Sequence, residues 1–128
     1  MRIGIVAHPG VGGSGVVAAE LAAALHRGGD AVFVYAPTRP FRLAEGPVFR
    51  PIPLPEHPVY PAPSLGLALA EGLAEAALAD RLDVLHVHYA VPLAASAALA
   101  AELLGPARAP AVVVTVHGSD LRGSPGRA

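Results

Sequence analysis

Short apolar runs bounded by glycine and proline alternate along this chain with longer segments in which apolar residues recur every three or four positions. Ile3-Gly4-Ile5-Val6-Ala7 runs into Pro9 and a glycine cluster, which predicts a buried strand. Residues 16–27 predict a helix with Val17, Leu21, Ala24 and Leu25 on one face, stopped by Gly28-Gly29. Residues 31–35 are β-branched and aromatic and predict a second strand. A third over 48–54 is confined to a sheet edge by Pro51 and Pro53. Residues 55–63 carry four prolines and read as an extended loop. Ser64 is placed to cap a helix over 65–81, where Leu65, Leu69 and Leu73 recur every four residues. A fourth strand over 83–89 follows, and Pro92 suits the first turn of an alanine-rich helix that stops at Gly105-Pro106. The continuous apolar run over 111–116 predicts a parallel strand buried on both faces.

The resulting order, β-α-β-β-α-β-α-β, predicts an α/β fold built on a doubly wound parallel sheet. Right-handed crossovers give the strand order 3-2-1-4-5. Residues 121–128 lack periodicity and read as a tail, and no helix follows the fifth strand to cover it.

Composition narrows the functions this fold can serve. The chain has 128 residues, 53% hydrophobic and 15% charged, with no cysteine, so disulfides, thiolate metal sites and cysteine nucleophiles are excluded. The net charge is −1 and all basic residues are scattered arginines, which leaves no footprint for nucleic acid. The first apolar run is too short for a signal-peptide core of about 7–15 residues. No stretch approaches the roughly 20 residues of a bilayer span, so a cytoplasmic location is expected.

Ligands of such sheets bind beyond the carboxyl ends of the strands, near the switch between strands 1 and 4. Strand 1 delivers His8 and the loop Pro9-Gly10-Val11-Gly12-Gly13-Ser14-Gly15; strand 4 delivers His86, His88 and Tyr89; strand 5 delivers Thr115, His117, Gly118, Ser119 and Asp120. Glycines let a ligand approach the free N–H groups at a helix start, which favour a phosphate or carboxylate. The simpler alternative is a tight turn with Ser14 as helix cap. Gly10, Gly12 and Gly15 also satisfy G-x-G-x-x-G, the dinucleotide fingerprint, but no acid follows strand 2 to hold a ribose. An NADP-type dinucleotide module would have to use Arg39 or Arg42 instead. Zinc needs about three ligands and a water. His86, His88, His8 and His117 offer the imidazoles, with Asp120 the only nearby carboxylate. His86 lies deeper in its strand, where core packing suits it better; His26, His57, Glu71 and Glu75 read as solvent-facing. No G-x-S-x-G elbow is present, which disfavours a serine hydrolase.

Four segments together resemble a known family. The glycine loop, Pro40-Phe41-Arg42-Leu43, His86-Val87-His88-Tyr89-Ala90-Val91-Pro92 and Thr115-Val116-His117-Gly118-Ser119-Asp120 are similar, in order and spacing, to the N-terminal half of GT-B glycosyltransferases of family 4. The resemblance runs to about residue 120 and is strongest to the branch that forms N-acetylglucosaminyl malate in bacillithiol biosynthesis. It implies a Rossmann-like N-terminal GT-B domain over 1–120, with the donor-binding C-terminal domain absent. The implied reaction is retaining transfer of N-acetylglucosamine from UDP-N-acetylglucosamine to the hydroxyl of L-malate, with no metal or other cofactor.

The resemblance implies that Gly12, Gly13, Ser14 and Gly15 meet the donor phosphates and a malate carboxylate. It likewise places Ser14, Tyr89 and Ser119 on malate and His117, as the catalytic candidate, at the donor sugar; His88 and Asp120 are candidates for the cleft wall. Ser119 stands where the family commonly has Thr, which keeps the hydroxyl. Members of the family are longer, so the chain is expected to be a fragment that does not turn over alone. Its uncovered apolar surface is expected to support association, including with a second copy. Another acceptor of the same family is the nearest alternative.

Overall fold

The computed structural model describes residues 1–7, 13–53 and 65–118. Five strands, β1 (Arg2–Val6), β2 (Ala31–Ala36), β3 (Val48–Pro51), β4 (Val84–His88) and β5 (Ala111–Thr115), form one parallel sheet in the order β3-β2-β1-β4-β5. This is the Rossmann-like arrangement that the alternation of elements predicts. Helix α1 (Gly13–Arg27) joins β1 to β2, α2 (Leu65–Ala79) precedes β4, and α3 (Ala95–Leu104) precedes β5.

Strand alternation sends side chains to two layers. Ile3, Ile5, Val32 and Val34 pack with Ala18 and Ala22 of α1. Val6, Phe33, Tyr35, Leu85 and Val87 pack on the other face with Leu69 and Leu73 of α2 and Ala97 and Ala100 of α3. The centre of the sheet is therefore covered on both faces, as a doubly wound fold requires.

The close approach of α1 corrects its predicted inner face. The buried positions are Gly15, Ala18, Ala19, Ala22 and Ala23; Val17 is 49% exposed, Ala24 is exposed, and Leu21 and Leu25 are half-buried at the margin. Small side chains let the helix lie close to the sheet, so its alanines rather than its larger residues define the seam. The helix also begins at Gly13 instead of residue 16, which places Ser14 inside its first turn rather than before it. Its end follows the glycine signal: Gly28 N–H donates to Ala24 O at 3.0 Å, and Gly29 adopts φ 98°.

Two further expectations change at the β5 side. The strand was predicted to be buried on both faces, yet Val112, Val113 and Val114 are 37%, 45% and 39% exposed. Among the described residues β5 pairs only with β4 and lies at the margin of the sheet, a position that an apolar run alone does not distinguish from a central one. The helix expected to open at Pro92 instead starts with a π-helical segment, Ala90–Ala94, and becomes α-helical at Ala95. β3 takes the edge position its prolines dictate. The Ser64 cap, His57 and the tail lie outside the described residues.

Candidate functional site

β4 and β5 run in parallel register, with His88 opposite Thr115, so their carboxyl ends release Tyr89 and His117 side by side. Tyr89 N–H donates to Thr115 O at 3.1 Å, extending the ladder one step past the strands. Tyr89 then takes φ 99°, a left-handed value that is strained for a bulky aromatic residue. This turn leads directly into the π-helical segment, a widened coil that recurs at functional sites. The Tyr89 ring stacks on His117, with centroids 5.5 Å apart and an interplanar angle of 27°.

Behind this pair, His88 points into the core and is 1% exposed. His88 Nδ1 lies 3.3 Å from His117 Nε2. Its ring also stacks on His86 at 4.6 Å, as expected for positions i and i+2 on one face of a strand. His86 Nε2 meets Thr115 Oγ1 at 2.7 Å. Burial pushes the His88 imidazole down to about 4, and the adjacent His86 and His117 rings add to that shift. Burial lowers His86 as well. His88 is therefore neutral near pH 7. Among the described residues no three His, Cys, Asp or Glu side chains are disposed to hold a metal ion.

On the neighbouring side, β1 pairs with β4 and hands the chain toward the amino end of α1. There Gly13 is exposed, Ser14 half-buried and Gly15 buried. Apart from its chain neighbours and the backbone of its own helix, no heavy atom of the described residues lies within 4 Å of where a Cβ on Gly13 would stand. The first turn of α1 carries no acidic side chain, so no carboxylate of its own offsets the partial positive charge of its free N–H groups.

Of the residues singled out from the sequence, His88, Tyr89 and His117 are brought together, and Gly13, Ser14 and Gly15 form the first turn of α1. His8, Gly12, Ser119 and Asp120 lie outside the described residues. His86, read as a core histidine, is tied to Thr115 and to the His88 ring. Arg39 donates to Leu43 O at 3.2 Å and Arg42 lies over the Phe41 ring, so neither arginine is held toward the strand ends by a contact seen here.

A second polar cluster was not anticipated. Tyr35 OH donates to Asp80 Oδ2 at 2.7 Å, and Arg50 donates through Nη2 to Asp80 Oδ1 at 3.0 Å. These residues border a groove of about 460 Å³ between β3 and α2, which includes Ile52 and Glu75 and shares no residue with the histidine cluster. The only sequence signal was an aspartate at the end of an apolar helix, which ordinarily faces water.

The sequence matches the family described as Glycosyltransferase Family 4 over residues 11–128. It is 39% identical over 124 residues to an N-acetyl-alpha-D-glucosaminyl L-malate synthase of Bacillus anthracis, an alignment covering 94% of this chain. The chain spans 32% of the length of that relative. Among the described residues no helix is long and apolar enough to cross a membrane.

Proposed function

We propose, from the premise that this chain belongs to glycosyltransferase family 4, that its residues form the acceptor side of an enzyme that transfers N-acetylglucosamine from UDP-N-acetylglucosamine to the hydroxyl of L-malate. The observation that carries this reading is the meeting of Tyr89, His88 and His117 at the carboxyl ends of β4 and β5, on a sheet whose next strand leads to an acid-free helix start. The relative named above supports the choice of sugar and acceptor.

In this reading the N–H groups of Gly13, Ser14 and Gly15 receive an anion, a malate carboxylate or a donor phosphate, through the free amides of the first turn. The Ser14 and Tyr89 hydroxyls orient malate by hydrogen bonds. His117, stacked on Tyr89, stands at the donor sugar and helps to hold the charge that develops as the sugar–phosphate bond breaks. Holding the hydroxyl and the sugar in line converts a bimolecular encounter into a positioned one, a principal source of rate enhancement. The reading calls for no cofactor, and it assigns a cytoplasmic setting where sugar nucleotides are made.

Titrating L-malate and UDP-N-acetylglucosamine separately into the isotope-labelled chain tests it. Malate should shift the amide signals of Gly13 and Ser14 and the ring signals of Tyr89, and succinate, which lacks the hydroxyl, should bind more weakly. Malate-independent spectra at millimolar ligand would overturn the acceptor assignment. Sustained product formation by this chain alone would overturn its restriction to the acceptor side.

A further inference from the structure

Three imidazoles run in series across the ends of β4 and β5, and the central one, His88, is the least accessible. Enclosed at 1% exposure, it cannot itself reach a substrate in the cleft. Its contacts are instead with other rings: His86 stacked at 4.6 Å and His117 with an Nδ1–Nε2 separation of 3.3 Å. His88 Nε2 is buried and has no hydrogen-bond partner among the described residues.

That orphan nitrogen decides where the proton resides. A neutral imidazole has one N–H and one lone pair. With the proton on Nε2, a strong donor would be buried without an acceptor, an arrangement folded proteins rarely tolerate. With the proton on Nδ1, the donor meets His117 Nε2 and only a lone pair is left bare. His86 and His117 are the titratable neighbours of the ring among the described residues, and both disfavour a second proton on it.

We propose that His88 is a positioning residue for His117: its Nδ1–H donates to His117 Nε2 and holds that ring, against Tyr89, as the Nδ1–H tautomer. His117 then offers a hydrogen-bond donor at its second nitrogen and cannot act there as a proton-accepting base. Any group that meets that nitrogen is accordingly an acceptor, and in the proposed reaction a sugar hydroxyl or a phosphoryl oxygen has that character. The consequence for transfer rests on the function proposed above; the tautomer itself does not.

Long-range nitrogen–proton spectra of the imidazoles in the labelled chain at pH 7.5 test the proposal. His117 should show the Nδ1–H pattern. His88→Phe, which keeps a ring but removes both nitrogens, should shift His117 toward the Nε2–H form that free imidazoles prefer. His88→Asn places an amide N–H near the position of Nδ1 and should restore the original pattern, which a purely space-filling role for His88 would not predict. An Nε2–H pattern for His117 in the unaltered chain, or one unmoved by His88→Phe, overturns the proposal. Should His88→Phe fail to fold, the pattern in the unaltered chain decides. Adding malate and UDP-N-acetylglucosamine to the same samples separates the two claims. The Nδ1–H pattern without any ligand-induced shift would sink the proposed function and leave the positioning intact; ligand shifts with the wrong tautomer would do the reverse.

Discussion

The Tyr35 hydroxyl donates to Asp80 Oδ2 at 2.7 Å, joining the second strand to the residue that directly follows α2. Tyr35 is fully buried, and Asp80 is nearly so. Desolvation pushes the Asp80 carboxyl up, but hydrogen bonds from Arg50 and Tyr35 and the charges of Arg50 and Arg2 outweigh it, leaving the group below its ordinary 3.8. A hydrogen bond to a charged group contributes about 1.5–3 kcal/mol. Tyr35→Phe should lower stability by about that amount, and Asp80→Ala by more, since it also strands the Tyr35 hydroxyl. Urea unfolding of both variants checks this, and a neutral Tyr35→Phe would mean that the buried hydroxyl contributes nothing net. Because the folded-state pKa of Asp80 is depressed, its contribution is present above pH 3.8 and disappears as the pH falls through the lower folded value.

The same tyrosine explains a glycine in β1. A Cβ on Gly4 would stand 2.7 Å from Tyr35 Cε2 and 2.6 Å from Leu82 Cδ1. The leucine tip can turn aside, but the tyrosine ring is fixed at its far end by Asp80. Gly4→Ala should therefore destabilise by about 1–3 kcal/mol, the usual penalty for overpacking a core. Thermal unfolding measures it, and an unchanged midpoint would show that the ring has room to move.

Much of the fold was legible because the strands are short, mainly apolar runs bounded by glycine or proline, and β3 even announced its edge position through Pro51. β5 was not legible in the same way. Val112, Val113 and Val114 are as apolar as a central strand, and whether a face is covered depends on neighbours that local pattern does not encode. For α1, periodicity weighted the large residues, whereas close packing selected Ala18 and Ala22. At the site, the position of His117 and Tyr89 followed from strand ends. The contact between His88 and His117 required the β4–β5 register, which pairs His88 with Thr115 and sets His117 two residues beyond. The Tyr35–Asp80–Arg50 cluster joins three separate elements and left no local trace.

Acid should weaken the fold well above the range where carboxylates titrate. An unfolded histidine takes up a proton near 6.5, whereas His88 in the fold does so only at about 4. Between those values the unfolded chain binds more protons, so stability is full above 6.5 and declines as the pH falls toward 4. The loss from pH 7 to pH 5 should be about 2 kcal/mol from His88 alone. His86, lowered by burial, adds in the same direction. Urea unfolding at pH 7, 6 and 5 gives the slope, and His88→Phe should flatten most of it. A flat profile for the unaltered chain would place a protonated imidazole in the fold at no cost, contrary to its burial.

Gly13 offers a way to separate stability from binding. It is exposed in the first turn of α1, its φ is not positive, and an added Cβ would meet open space. Nothing among the described residues requires glycine there. Alanine should leave stability unchanged or raise it by up to about 1 kcal/mol, through the greater backbone freedom that glycine loses on entering a helix. If the open space is where an anion approaches the helix amides, the same methyl group stands in its path. Gly13→Ala should then weaken malate binding by about tenfold, equivalent to about 1.4 kcal/mol, while the unfolding midpoint holds or rises. Calorimetric titration beside thermal unfolding reads both quantities on one preparation. Undiminished malate affinity in a stable Gly13→Ala chain would move the anion away from the start of α1.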